Sequence, residues 1–215
     1  MKASLRRPVL WTLFGAAWMA CVVAGLAALM NYDNRPGPAA DAPATWPVAS
    51  HLARDTTGPT LVMLAHPRCD CTRASVAEIA ELLARARHRP RALVVFIKPG
   101  NVPGGWEQTA LWRSAAAIPG VTVVRDDDGL ESRRFGVQTS GQVLVYDADG
   151  RLLYSGGTTG ARGKTGDNAG RAAIVAALDG ERAHVTSASV FGCSLFAPSD
   201  TWSEMNPDAH EAPAR

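Results

Sequence analysis

The sequence predicts an α/β sandwich, a mixed β-sheet with helices on both faces, preceded by one transmembrane helix. Three observations predict it. From about residue 60 to 180, short β-branched runs alternate with amphipathic stretches in the order β-α-β-α-β-α-β-β-α. A Cys-x-Cys pair, His66-Pro67-Arg68-Cys69-Asp70-Cys71, sits where the first apolar run gives way to a helical pattern. Ahead of all this, Pro8 to Met30 contains no charged residue.

The charge-free stretch comes first in the chain. As a helix it would span about 34 Å, enough for a bilayer core of about 30 Å. Lys2, Arg6 and Arg7 precede it, which places the N-terminus inside and the rest outside the cytoplasm. The chain is expected to cross a membrane once, with the soluble part outside the cytoplasm. Against a cleaved signal peptide stand the length of the run and the lack of a clear Ala-x-Ala site after it. Against a lipoprotein, Trp18 sits three residues before Cys21 and the apolar run continues past it.

Residues 31–47 are rich in Pro, Ala, Asp and Asn and read as a flexible tether. One domain is expected over 48–180, an extension over 181–196 and a disordered polar tail over 197–215. Thr60 to Ala65 is the first strand. Val76, Ile79, Ala80 and Leu83 then mark a helix at about 72–87. Arg91 to Ile97 is a buried strand, Trp106 to Ala117 a helix stopped near Pro119-Gly120, and Val121 to Val124 a short strand. On that helix Trp106 and Trp112 lie six apart, so they do not share one narrow face. A helical turn is expected around Leu130 to Phe135. Gln142–Tyr146 and Leu152–Ser155 flank Asp147-Ala148-Asp149-Gly150, a hairpin signal. The last helix runs over about 168–179, with Asp167 as N-cap and Gly180 as stop.

Composition narrows the function. A net charge of +2 over 215 residues gives no footprint for nucleic acid, and 47% hydrophobic residues exclude a charged disordered chain. Cys21 lies in the membrane run. That leaves Cys69, Cys71 and Cys193, an odd number for an oxidising compartment, which suits working thiols better than a static framework.

The element order, the cysteines at the first strand-to-helix turn and the segment Phe135-Gly136-Val137…Leu144-Val145-Tyr146-Asp147-Ala148-Asp149-Gly150-Arg151 resemble thioredoxin-fold proteins. The nearest branch is that of peroxiredoxins and membrane-anchored thiol oxidoreductases. His-Pro-x-Cys-x-Cys near the start and Phe-Gly-Cys near the end are similar to bacterial RedB-type proteins. The resemblance implies a protein of the bacterial inner membrane, its domain on the periplasmic side, that exchanges electrons with a protein thiol or disulfide partner. Two departures stand out. Thioredoxins usually have two residues between the cysteines. They also carry a cis-proline opposite them, where this chain has Thr139-Ser140-Gly141, so a trans bond and a reshaped site are expected.

The cysteine pair has three readings. As a redox dithiol, Cys69 attacks from the strand end and Cys71 resolves, with the helix N-terminus, Arg68 and Arg73 favouring thiolate, and His66 supplying charge or moving protons. A disulfide across one residue closes a tight ring and should reduce readily. As a metal site, the two sulfurs with His66 or Cys193 would suit Cu(I), the alternative cofactor, as in Sco-like copper chaperones of the same fold. As a structural pair, they would belong to a non-catalytic binding module.

Cys193 lies in Val190-Phe191-Gly192-Cys193-Ser194-Leu195. From Gly180 the chain reaches about 43–47 Å, ample to return along a helix of about 20 Å. Cys193 can therefore join the site or serve only to dock an apolar tail. The glycine-rich run from Gly156 to Gly166 is not a phosphate loop, because position 158 is threonine where that motif needs glycine. By topology the run borders the cysteines. Arg162 and Lys164, with Thr139, Ser140 and Gly141, are the candidate partner-binding residues. His51, His88, His184 and His210 lack ligand spacing and read as surface residues. Asp126-Asp127-Asp128 reads as a turn and helix start.

Overall fold

The computed structural model describes residues 6–87, 89–181 and 183–196. The polar tail at 197–215, together with Lys2, His88 and His210, lies outside the described residues. The chain divides into two units, one ending at Arg35 and one beginning at Pro36.

The first unit is a single helix, α1 (Arg6–Asp33). Its stretch Val9–Asp33 is long and apolar enough to cross a membrane. Trp11, Phe14, Trp18 and Leu29 are all exposed on it, as a lipid-facing helix requires.

The second unit is a five-stranded sheet in the order β3-β2-β1-β4-β5. Its strands are β1 (Thr60–Ala65), β2 (Arg91–Lys98), β3 (Val121–Asp127), β4 (Gln142–Tyr146) and β5 (Leu152–Gly156). β1, β2 and β3 run parallel; β4 is antiparallel to β1, and β5 to β4. β1 is central and every residue in it is buried, which explains its unbroken apolar run. Leu61, Met63 and Ala65 point to one face, where α2 (Asp70–Arg85), α3 (Ala110–Ala116) and α5 (Ala169–Leu178) pack through Ile79, Leu82, Ala115, Ile174 and Leu178. Val62 and Leu64 point to the other face, with Phe135, Val137 and Leu195. There α4 (Leu130–Arg134) is the short helix. Asp126 anchors its start: the carboxylate accepts from the amides of Glu131 and Ser132 and from the Ser132 hydroxyl, and burial pushes it up from the ordinary carboxylate range.

Three local expectations change. Residues 36–47 are no free tether. Trp46 packs edge-on to Phe135 and Tyr146, at 5.0 and 5.2 Å between ring centres. The Trp46 amide donates to the Gly150 carbonyl at 2.7 Å, and the Leu152 amide to the Ala44 carbonyl at 2.9 Å. The composition of a linker conceals a segment whose backbone extends the sheet's bonding and whose one indole fills the second core. Next, the helix expected from Trp106 begins at Ala110, capped by Thr109. Pro103-Gly104-Gly105, with φ +79° at Gly105, spends the preceding residues on turns. Trp112 packs on Phe96 at 5.4 Å, while Trp106 stays outside the helix. Finally, Asn168 rather than Asp167 caps α5, its side chain accepting from the Arg171 amide at 3.0 Å. Asp167 instead lies 3.6 Å from the Arg171 guanidinium.

The C-terminal extension follows the sheet edge. The Ser155 amide donates to the Thr186 carbonyl at 3.0 Å, and Ser187 bridges Ser155 in parallel. Val190 is buried. The chain then turns back across the sheet end that carries the cysteines, where Thr139 and Ser194 pair antiparallel.

Candidate functional site

β1 ends at Ala65, and a tight turn leads into α2. The Cys69 amide donates to the His66 carbonyl at 3.3 Å, and the Arg68 amide to His66 Nδ1 at 3.1 Å. Cys69 is then the extended N-cap of α2 (φ −95°, ψ 115°). The strand end fixes its depth and the helix start fixes its direction. Cys69 is 3% exposed, whereas Cys71, two residues on, is only half-buried.

Cys193 meets Cys69 from the other side. Their Sγ atoms are 2.7 Å apart, well inside van der Waals contact, and neither is in a disulfide. All three Sγ atoms lie within 4.8 Å of one another. The extension is held here by backbone bonds: the Ser140 amide donates to the Cys193 carbonyl and the Leu195 amide to the Gln138 carbonyl, both at 2.8 Å. Arg162 donates to the Gly192 carbonyl at 2.7 Å. Gly192 has no alternative, because a Cβ there would collide with the Ser140 carbonyl oxygen.

The three thiols differ sharply in acidity. Cys69 is pulled down to about 5, foremost by the hydrogen bond from the Cys193 thiol; Thr72 and the Cys193 amide add to this while burial opposes it. The proton of the close pair resides on Cys193, because the helix N-terminus favours the anion at Cys69. Cys193 is correspondingly pushed up, by that bond and by burial. Cys71 is also pushed up, by burial and by the charge on Cys69, with Arg162 working in the opposite direction.

The other predicted residues take different places. His66 is buried and pulled down to about 3, first by desolvation and then by Arg68. It is therefore neutral and supplies no positive charge to the thiols. Its ring stands edge-on to Trp106 at 5.5 Å, and the Arg68 guanidinium lies 5.0 Å over the same indole. Arg73 pairs with exposed Asp70 at 3.4 Å. Of the expected cations, Arg162 is the one at the sulfurs; Lys164 is exposed on its loop. Thr139, Ser140 and Gly141 are joined by trans peptides and buried. Ser140 Oγ accepts from the His66 amide at 2.7 Å and lies 2.5 Å from Thr72 Oγ1. Thr139 Oγ1 donates to the Pro38 carbonyl at 2.9 Å, and the Gly141 amide to the Leu64 carbonyl at 2.8 Å. The edge expected to receive a partner's chain is thus occupied by residues 193–195 of this chain, and these three residues hold the framework together.

Sequence reasoning missed Thr72 and Gly192. Thr72 follows Cys69 by three residues, the spacing at which a helix start meets its cap. That spacing was the available signal. Gly192 stood in the Phe-Gly-Cys motif, but nothing there gave the reason for glycine, since its constraint comes from a residue 52 positions away.

The three sulfurs also form a donor set that fits a soft metal ion. His66 lies outside that set, its Nδ1 engaged by the Arg68 amide.

No family model and no curated protein matches the chain. Solved structures do. A hypothetical protein of Sinorhizobium meliloti 1021 is similar with a TM-score of 0.55 and 19% identity, over 75% of this chain and 98% of that one. An uncharacterized conserved protein from Geobacillus kaustophilus gives 0.53 and 17%, over 77% and 94%. A putative thiol:disulfide interchange protein DsbE from Chlorobium tepidum gives 0.43 and 18%, over 67% and 98%. At these identities the likeness concerns the fold. With its three parallel strands, closing antiparallel hairpin and cysteines at the first strand-to-helix turn, the domain has a thioredoxin-like α/β fold.

Proposed function

We propose that the chain is a membrane-anchored, exported thiol–disulfide oxidoreductase whose partners are protein thiols or disulfides. The observation that carries this reading is the cluster of three sulfurs around an acidified Cys69. A structural disulfide has no need of a third thiol or of a stabilised anion. Thiol–disulfide exchange needs both: a thiolate that leaves readily, and a second thiol within reach. Two electrons pass when a disulfide forms on Cys69 while the partner's disulfide opens to two thiols; the reverse oxidises the partner. RedB-type proteins are the narrower family consistent with this reading. The apolar α1 and the basic residues ahead of it support anchoring with the domain outside the cytoplasm.

The test uses the reduced full chain in detergent with insulin as the disulfide substrate. Cys69→Ser lowers the exchange rate by about tenfold or more, because no disulfide can then form on Cys69 to release the partner. An unchanged rate in that variant overturns the reading. A reporter fused after Arg215 is active only outside the cytoplasm; activity inside contradicts the export.

The same sulfurs favour a second reading, a soft-ion carrier holding Cu(I) in a three-thiolate site. Stoichiometric Cu(I) binding by the reduced chain, lost in each of Cys69→Ser, Cys71→Ser and Cys193→Ser, would place this reading first.

A further inference from the structure

We propose that the three cysteines form a relay in which Cys71 meets the partner and Cys69 passes the disulfide on to Cys193. This rests on the thiol–disulfide reading above and assigns an order within it. It reverses the sequence-based expectation that Cys69 makes the first attack.

The reversal follows from access. Cys69 is 3% exposed and lies against Cys193. The extension that brings Cys193 is pinned on both sides of it, by the Arg162 bond at Gly192 and by the pairing of residues 193–195 with 138–140. A partner's chain cannot take the edge that this extension already fills. Cys71 and Cys193 are both half-buried, but Cys193 is held against Cys69 whereas Cys71, at the start of α2, lies outside that close contact. Arg162 also acts on the Cys71 thiol, lowering its pKa against the effects of burial and the Cys69 charge.

The steps balance. The Cys71 thiolate attacks one sulfur of the partner's disulfide, forming a mixed disulfide and releasing the partner's first thiolate. Cys69, already ionised, attacks Cys71 Sγ; the partner's second thiolate leaves and Cys69–Cys71 forms. That disulfide spans a single intervening residue, so its ring is tight and it opens readily. Cys193, giving up its proton to solvent, attacks Cys69 Sγ, and Cys71 returns to thiol. The partner's disulfide has gained two electrons, and Cys69 with Cys193 has lost them. Each step is an exchange and runs in either direction. Cys69 is the shared sulfur in both internal disulfides, so exchange between them proceeds by attack on Cys69 Sγ, with Cys71 leaving in one direction and Cys193 in the other.

The test gives oxidised glutathione to the reduced full chain in detergent, with acid quench at intervals, alkylation and peptide mass spectrometry. The wild type ends with Cys69–Cys193 joined and Cys71 alkylated. Cys193→Ser stops at Cys69–Cys71. The double variant Cys69→Ser/Cys193→Ser, which keeps Cys71 alone at the site, takes up glutathione about tenfold faster than Cys69→Ser/Cys71→Ser, which keeps Cys193 alone. A wild-type end state of Cys69–Cys71 with Cys193 alkylated overturns the relay and leaves the oxidoreductase reading standing. Faster capture by Cys193 than by Cys71 overturns the order. No glutathione adduct and no internal disulfide in any of the chains overturns both.

Discussion

The turn at residues 66–69 and the extension at 186–196 bring two sulfurs to within 2.7 Å by opposite means. The turn hangs from the core. β1 behind it is wholly buried, and α2 ahead of it is locked by Val76, Ile79 and Leu82. Its position is a by-product of burying apolar side chains, the largest favourable contribution to folding. The extension has little such ballast. It contributes buried Val190 and Leu195, and otherwise depends on backbone bonds to Ser155, Ser140 and Gln138 and on a glycine at 192. Half of the site is therefore as firm as the fold, and half is attached to it. Segments of the second kind open at lower free energy than the whole domain. A relay that must let Cys193 approach and retreat from Cys69 is served by that difference.

Three substitutions sharpen the contrast, in order of expected effect. Ile79→Ala removes a fully buried side chain under α2 and costs about 2–5 kcal/mol. Denaturant unfolding should show the loss as one cooperative transition of the core, with Cys69 becoming reactive no earlier than Cys193. If Cys69 alone is released, the turn does not depend on the core as argued. Gly192→Ala drives a Cβ into the Ser140 carbonyl, and the extension yields at a cost of about 1–3 kcal/mol. Alkylation of Cys193 should rise several-fold while the far-ultraviolet circular dichroism stays unchanged. An unchanged alkylation rate contradicts the view that the extension is a separately attached element. Arg162→Gln acts most gently. It removes the charge that opposes the raised pKa of Cys71. Alkylation of Cys71 near neutral pH should slow by about two- to fivefold, while loss of the bond at Gly192 loosens the extension and speeds alkylation of Cys193. Faster alkylation of Cys71 would mean that Arg162 shields Cys71 rather than ionising it.

The same contrast explains what was legible in the sequence. All five strands were placed within three residues of their observed ends, because β-branched runs bounded by turn residues report burial directly. The position of Cys69 and Cys71 at a strand-to-helix junction follows from the same pattern. What escaped was placed by backbone. Residues 36–47 have the composition of a linker, yet Ala44, Trp46 and Tyr146 bind them to the sheet. Thr139, Ser140 and Gly141 face inward because the chain's own residues 193–195 cover them. His66 is neutral because it is buried against Trp106, a contact between residues 40 apart that periodicity does not encode. Cys193 had the reach to join the pair, but reach does not give direction; the bonds at Gly192 and Ser140 do.

Acidity ties the two halves together. In the reduced chain, folding lowers the Cys69 value to about 5 from the ordinary thiol value of about 8.5. Between those values the unfolded chain still holds a proton that the folded chain has released. The contribution of Cys69 to stability therefore grows as pH rises through this window, and it is lost as pH falls through about 5. Cys193 is the chief source of the shift, so the shift measures whether the extension is docked. The most direct test of the account is the ultraviolet absorbance of thiolate, titrated in the reduced full chain and in Cys69→Ser. The account predicts a step near pH 5 in the wild type that is absent from the variant. A first thiolate that forms only near the ordinary value of about 8.5 in both chains would contradict it.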